Sequence, residues 1–117
     1  MTSQGTAHGR FTRAIQTKNV WAAETAMREL GNVSLSDALD YLGLLAALRP
    51  DRFDRAAVRW HSRLQAEASM LSLAESQFAL AALISLRAGD DFALSVLHLS
   101  NITIQNRSFV SSSLTAY

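Results

Sequence analysis

The segment Ser72–Arg87, SLAESQFALAALISLR, constrains the fold of this chain more than any other stretch. Ser72 and Glu75 form an S-x-x-E capping box, in which the serine hydroxyl accepts from the third backbone N–H and the glutamate reaches back to the cap. Beyond it the helix is apolar on nearly every side, with Leu73, Phe78, Leu80, Leu83, Ile84 and Leu86 separated mainly by alanines. A helix apolar all round is a buried central element or a membrane span. Sixteen residues that include Glu75 and Gln77 are too short and too polar to span. The segment therefore predicts a core helix that the other helices wrap, stopped by Gly89, with Asp90 and Asp91 opening the next helix.

A chain of 117 residues has length for one domain with one core. Its 49% hydrophobic and 18% charged content fits a folded protein, and a formal net charge of +1 favours no class of partner. Ten of its eleven basic residues are arginine, Lys18 being the exception. The absence of cysteine excludes disulfides and thiolate-bound metals. Met1–Arg10 contains no apolar run of the signal-peptide kind, so a cytoplasmic location is expected.

Taken in order, the chain predicts six helices and an all-α fold of paired antiparallel hairpins, either repeat-like or a compact bundle. Residues 1–7 are expected to be flexible, 8–99 to form the helical domain, and 100–117 to make an irregular tail rich in Ser, Thr and Asn. The first helix covers about His8–Thr17. Asn19 caps a second over Val20–Leu30, and Gly31 stops it. Ser34 with Asp37 opens a third helix reaching Leu48. Pro50 starts a fourth that runs to about Ala68. The Ser72 helix is the fifth, and Asp91–Leu99 the sixth.

The chain also resembles itself. Arg10-Phe-Thr-Arg13-Ala14 recurs as Arg52-Phe-Asp-Arg55-Ala56, Ala23–Met27 as Ala66–Met70, and Ser34–Asp37 as Ser72–Glu75. Such a period, near 40 residues, suggests stacked helical units. Gly43 falls opposite Ala81 in this alignment. A glycine in mid-helix costs about 1 kcal/mol relative to alanine, which predicts a close helix crossing there. The run Phe53-x-x-Ala56-x-x-x-Trp60, preceded by Leu42-Gly43, resembles a tetratricopeptide-type hairpin. That resemblance implies peptide or protein binding in a concave groove. The arrangement from HGRF through SLSDAL and RFDRAAVRWH to SLAE also resembles a group of small actinobacterial proteins with no assigned function, and implies no chemistry.

The candidate binding residues lie on the fourth helix. Arg52, Arg55, Arg59 and Arg63 are spaced by three, four and four residues, so they share one face. Like charges at i, i+4 cost about 0.2–0.5 kcal/mol per pair, so something must compensate. Two readings follow: the protein's own acids (Asp51 to Arg55, Arg63 to Glu67, or Asp37 and Asp40), or an external phosphate or carboxylate that matches the guanidinium fork. Trp60 sits on the apolar arc of the same helix, as a core residue or a stacking anchor, and His61 sits at the margin of that arc. No H-E-x-x-H, G-x-S-x-G or phosphate-cradling glycine loop is present. No metal or cofactor is expected, and no catalytic residue. The sequence thus points to a small scaffold that binds a protein or a second copy of itself. The alternative is a nucleic-acid accessory role for the arginine face.

Overall fold

The described residues form six α-helices: α1 (Ala7–Gln16), α2 (Val20–Leu30), α3 (Leu35–Leu48), α4 (Phe53–Glu67), α5 (Leu73–Arg87) and α6 (Phe92–Thr115), with a 3-10 turn over Pro50–Arg52 leading into α4. The computed structural model describes the backbone of residues 6–115 and the side chains of residues 6–107. Residues 1–5 of the expected flexible N-terminus, and residues 116 and 117 of the expected tail, lie outside the described residues. Among the described residues there is no strand, and no helix long and apolar enough to cross a membrane.

Local chemistry sets the helix starts and stops. Thr6, Asn19, Ser34 and Ser72 each accept a backbone N–H from three residues on, the N-cap bond that relieves an orphan donor. Thr6 and Ala7, expected to be flexible, are instead the cap and first residue of α1. The box at Ser72 is complete, with both reciprocal bonds formed. At Ser34 only half of it forms, because Asp37 turns its carboxylate to His8 at 3.1 Å. Gly31 ends α2 at a φ of 73°, a conformation that glycine adopts without a Cβ penalty.

Helices α3 to α6 run alternately up and down and close into a ring. Trp60 Nε1 donates to the Leu35 carbonyl at 2.9 Å, linking α4 to α3. Arg87 reaches Asp54 at 3.4 Å and His61 meets Ser76, joining α5 to α4. Arg107 forks onto Glu75 at 2.7 and 2.8 Å, joining α6 to α5. His98 Nε2 donates to Asp40 at 2.8 Å, closing α6 onto α3. Leu39, Leu42, Leu45, Phe53, Trp60, Leu64, Leu83, Leu97 and Ile104 fill the interior. Each side chain buried there is worth about 1.5–3 kcal/mol against exposure. The α1–α2 hairpin stacks on one side through a satellite core of Phe11, Ala14, Ala23, Ala26 and Leu44.

Three sequence expectations change. First, α5 is not wrapped. Only Ser76, Ala79, Ala82, Leu83 and Leu86 are buried, while Leu73, Phe78, Leu80 and Ile84 face water. The molecule measures 43 × 39 × 21 Å. Its short dimension equals about two helix diameters of 10–12 Å, so every helix has one side at the surface. Second, α6 does not end at Leu99. It continues to Thr115, and Asn101 and Ile104 are buried within it. In this stretch polar Asn101 faces inward and apolar Ile102 faces out, so hydropathy along the sequence does not mark the inner face of the helix. Third, the internal repeat is not matched helix for helix. Ala23–Met27 lies inside α2, whereas Ala66–Met70 closes α4 and enters the following turn. The close crossing at Gly43 is present: a Cβ there would stand 2.8 Å from Leu94 Cδ2 of α6.

Candidate functional site

The arginine face of α4 forms one wall of a groove of about 620 Å³ between α2, α3 and α4. All five residues singled out in the sequence, Arg52, Arg55, Arg59, Arg63 and Trp60, line it. The apolar floor comes from neighbouring helices: Met27 of α2, and Ala38, Tyr41, Leu42 and Leu45 of α3. Sequence reasoning missed these, because nothing in the local pattern of α2 or α3 says which face of α4 they flank. The only available signal was the aromatic at Tyr41, one helical turn from Leu45.

The four guanidiniums differ in what holds them. Arg52 pairs with Glu24 of α2, whose carboxylate also accepts from the Tyr41 hydroxyl at 2.5 Å. Burial, with that hydrogen bond and the nearby Glu24 charge, pushes the Tyr41 phenol up to about 12. The Arg52–Glu24–Tyr41 cluster therefore fixes one end of the groove. Arg63 pairs with Glu67 at 3.0 Å, the i, i+4 bond the sequence anticipated. The expected bond from Asp51 to Arg55 does not form: Asp51 turns to Arg49 at 3.2 Å. Asp37 and Asp40 are engaged by His8 and His98 instead. Among the described residues, Arg55 and Arg59 have no acidic partner, and both are exposed along the wall.

Trp60 is buried, with its indole N–H committed to Leu35. It forms part of the floor and offers no open face on which a base could stack. His61, which the wheel placed at the margin of the apolar arc, is buried on the opposite side of α4, where Nε2 lies 2.9 Å from Ser76 Oγ and 3.2 Å from the Ser76 carbonyl. A serine and a histidine in contact invite a nucleophile–base reading. Both are buried away from the groove, so the pair serves to tie α4 to α5. No cluster of His, Cys, Asp or Glu suited to a metal occurs among the described residues.

The groove thus combines a positive wall, two of whose charges are unopposed, with an apolar floor and one anchored end. Such a site suits a ligand that carries carboxylates or phosphates beside apolar groups. No protein-family model, curated protein or solved structure matches the chain.

Proposed function

We propose that this chain is a non-catalytic helical scaffold that binds an acidic, partly apolar segment of a partner protein in the arginine-walled groove. The supporting observation is the pair Arg55 and Arg59, unopposed by any described acid and set above Met27, Leu42 and Leu45. An arginine fork takes a carboxylate in two parallel hydrogen bonds, and the floor beside it accepts an apolar anchor. The same arginines suit phosphate, and a nucleic-acid accessory role is the alternative. Three features weigh against it: the net charge of +1, Asp51 among the lining residues, and the committed indole of Trp60.

Intrinsic fluorescence tests the reading directly. Trp21 is exposed, so a Trp21→Phe variant leaves Trp60 as the sole indole and as a reporter inside the groove. Titration with a peptide alternating Glu and Leu at about 50 mM salt, where exposed charges are little screened, is expected to shift Trp60 emission saturably. Arg55→Glu with Arg59→Glu is expected to weaken that binding at least about 10-fold. An unchanged emission, or equal binding by the double variant, would contradict the proposal. Steeply salt-dependent binding of a charge-matched single-stranded oligonucleotide, in preference to the peptide, would move the assignment to the alternative.

A further inference from the structure

Helices α5 and α6 carry a surface unlike the rest of the molecule. From Leu73 to Ile84, and from Phe92 to Asn106, every exposed residue is uncharged. Elsewhere the exposed positions include Arg13, Lys18, Arg28, Glu29, Asp51, Asp54, Arg55, Arg59 and Glu67. On these helices stand Leu73 at 78%, Phe92 at 73%, Ile84 at 70% and Leu99 at 67% exposure, with Phe78, Leu80 and Ile102 about half exposed. Leu73, Leu80 and Ile84 share one face of α5, as Phe92, Leu99 and Ile102 do of α6, and at roughly 200 Å² for each large side chain in full these six leave on the order of 800 Å² of apolar surface open. That is about the area each subunit buries in a standard interface, near 800 Å² per partner. Scattered apolar residues need no explanation, but a surface of this size marks a contact.

We infer that this surface is covered by a second copy of the same chain, forming a two-fold dimer through α5 and α6. The charge pattern selects that occupant. In an isologous contact each patch meets itself, so any charge near the axis meets its like. The exposed residues from Leu73 to Ile84 and from Phe92 to Asn106 satisfy that condition, the exposed charges Arg87, Asp90 and Asp91 being confined to the end where α5 turns into α6, whereas a patch evolved for a charged partner would carry the complementary sign. A lipid surface is the less suitable occupant, because interfacial helices rim their apolar face with Lys and Arg. The antiparallel α5–α6 pair, pinned by the Arg107–Glu75 fork at one end, supplies a rigid platform. In the ring of four helices, α3–α4 and α5–α6 form opposite sides. The dimer therefore leaves both arginine-walled grooves open, one on each outer side, and the inference does not rest on what those grooves bind.

Sedimentation velocity of the full chain provides the test. The protein, 12.8 kDa as a monomer, is expected to sediment at twice that mass at about 100 μM and to dissociate on dilution. Ile84→Glu and Leu99→Glu, both at exposed positions, are expected to keep the helical circular-dichroism spectrum and to weaken association by at least about 100-fold. Groove binding, read from Trp60 in the monomeric Ile84→Glu variant, is expected to persist, which separates the two sites. Three results would overturn the inference: a monomer at every concentration, dimers that both variants leave intact, or a monomer that instead binds neutral phosphatidylcholine vesicles through these residues.

Discussion

At the scale of single residues, the chain pairs most of its acids internally and, among the described residues, leaves several surface cations without an acidic partner. Glu75 illustrates a paired acid. The Arg107 fork, then the hydrogen bond from the Ser72 backbone, hold its carboxyl down at about 2 against an ordinary 4.5. The folded-state value lies below the unfolded one, so the stabilisation is complete above about pH 4.5 and is lost as pH falls toward 2. Unfolding followed against pH should show that loss in the native chain, and Glu75→Gln should flatten the curve between those values. An unaltered curve would mean that the fork contributes nothing. Arg55 and Arg59 are the two of these cations that line the groove, and their spacing made them visible in the sequence. That Asp51 would abandon Arg55 for Arg49 was not visible, because i, i+2 and i, i+4 partners compete and the 3-10 turn at Pro50 decides between them. Trp60 was legible as core from the wheel. His61 was not, because its burial comes from α5 crossing just beyond the apolar arc.

At the scale of elements, caps and periodicity were enough to place α1 to α5 within a residue or two, except the start of α4, where Pro50–Arg52 form a 3-10 turn and the α-helix begins at Phe53. Failure came where local pattern and tertiary position diverge. Helix α5 reads as apolar all round, yet a helix in a two-layer molecule has only one inner side, here Ser76, Ala79, Ala82, Leu83 and Leu86. Helix α6 reads as polar beyond Leu99, yet Asn101 and Ile104 face inward and carry it on. Gly43 was legible for a physical reason, as a mid-helix glycine must offset its propensity cost by some contact. Its contact is the end of a flexible side chain, Leu94 Cδ2, rather than backbone. Gly43→Ala should therefore change stability by no more than about 1 kcal/mol, the propensity gain opposing a small shift of Leu94. Gly43→Leu cannot be relieved that way and should cost about 1–3 kcal/mol as overpacking between α3 and α6. Equal tolerance of both in urea unfolding would show that the crossing is loose.

At the scale of the whole molecule, the two sides of the four-helix ring are different surfaces. The α3–α4 side, completed by α2, is a charged groove, and the α5–α6 side is broad and mainly apolar, with its exposed charges at the turn between the two helices. The groove depends on three helices distant in sequence, so the arginine stripe was legible but the floor beneath it was not. The central claim is that this stripe is kept for a ligand and not for the fold. Global unfolding of the Arg55→Gln/Arg59→Gln double variant in urea tests that most directly, since glutamine has nearly the helix propensity of arginine. Relief of the i, i+4 repulsions predicts a stability gain of a few tenths to about 1 kcal/mol over the parent chain. A loss of more than about 1 kcal/mol, the range of an internal charge-assisted hydrogen bond, would mean that these guanidiniums hold the structure together, and would contradict the account.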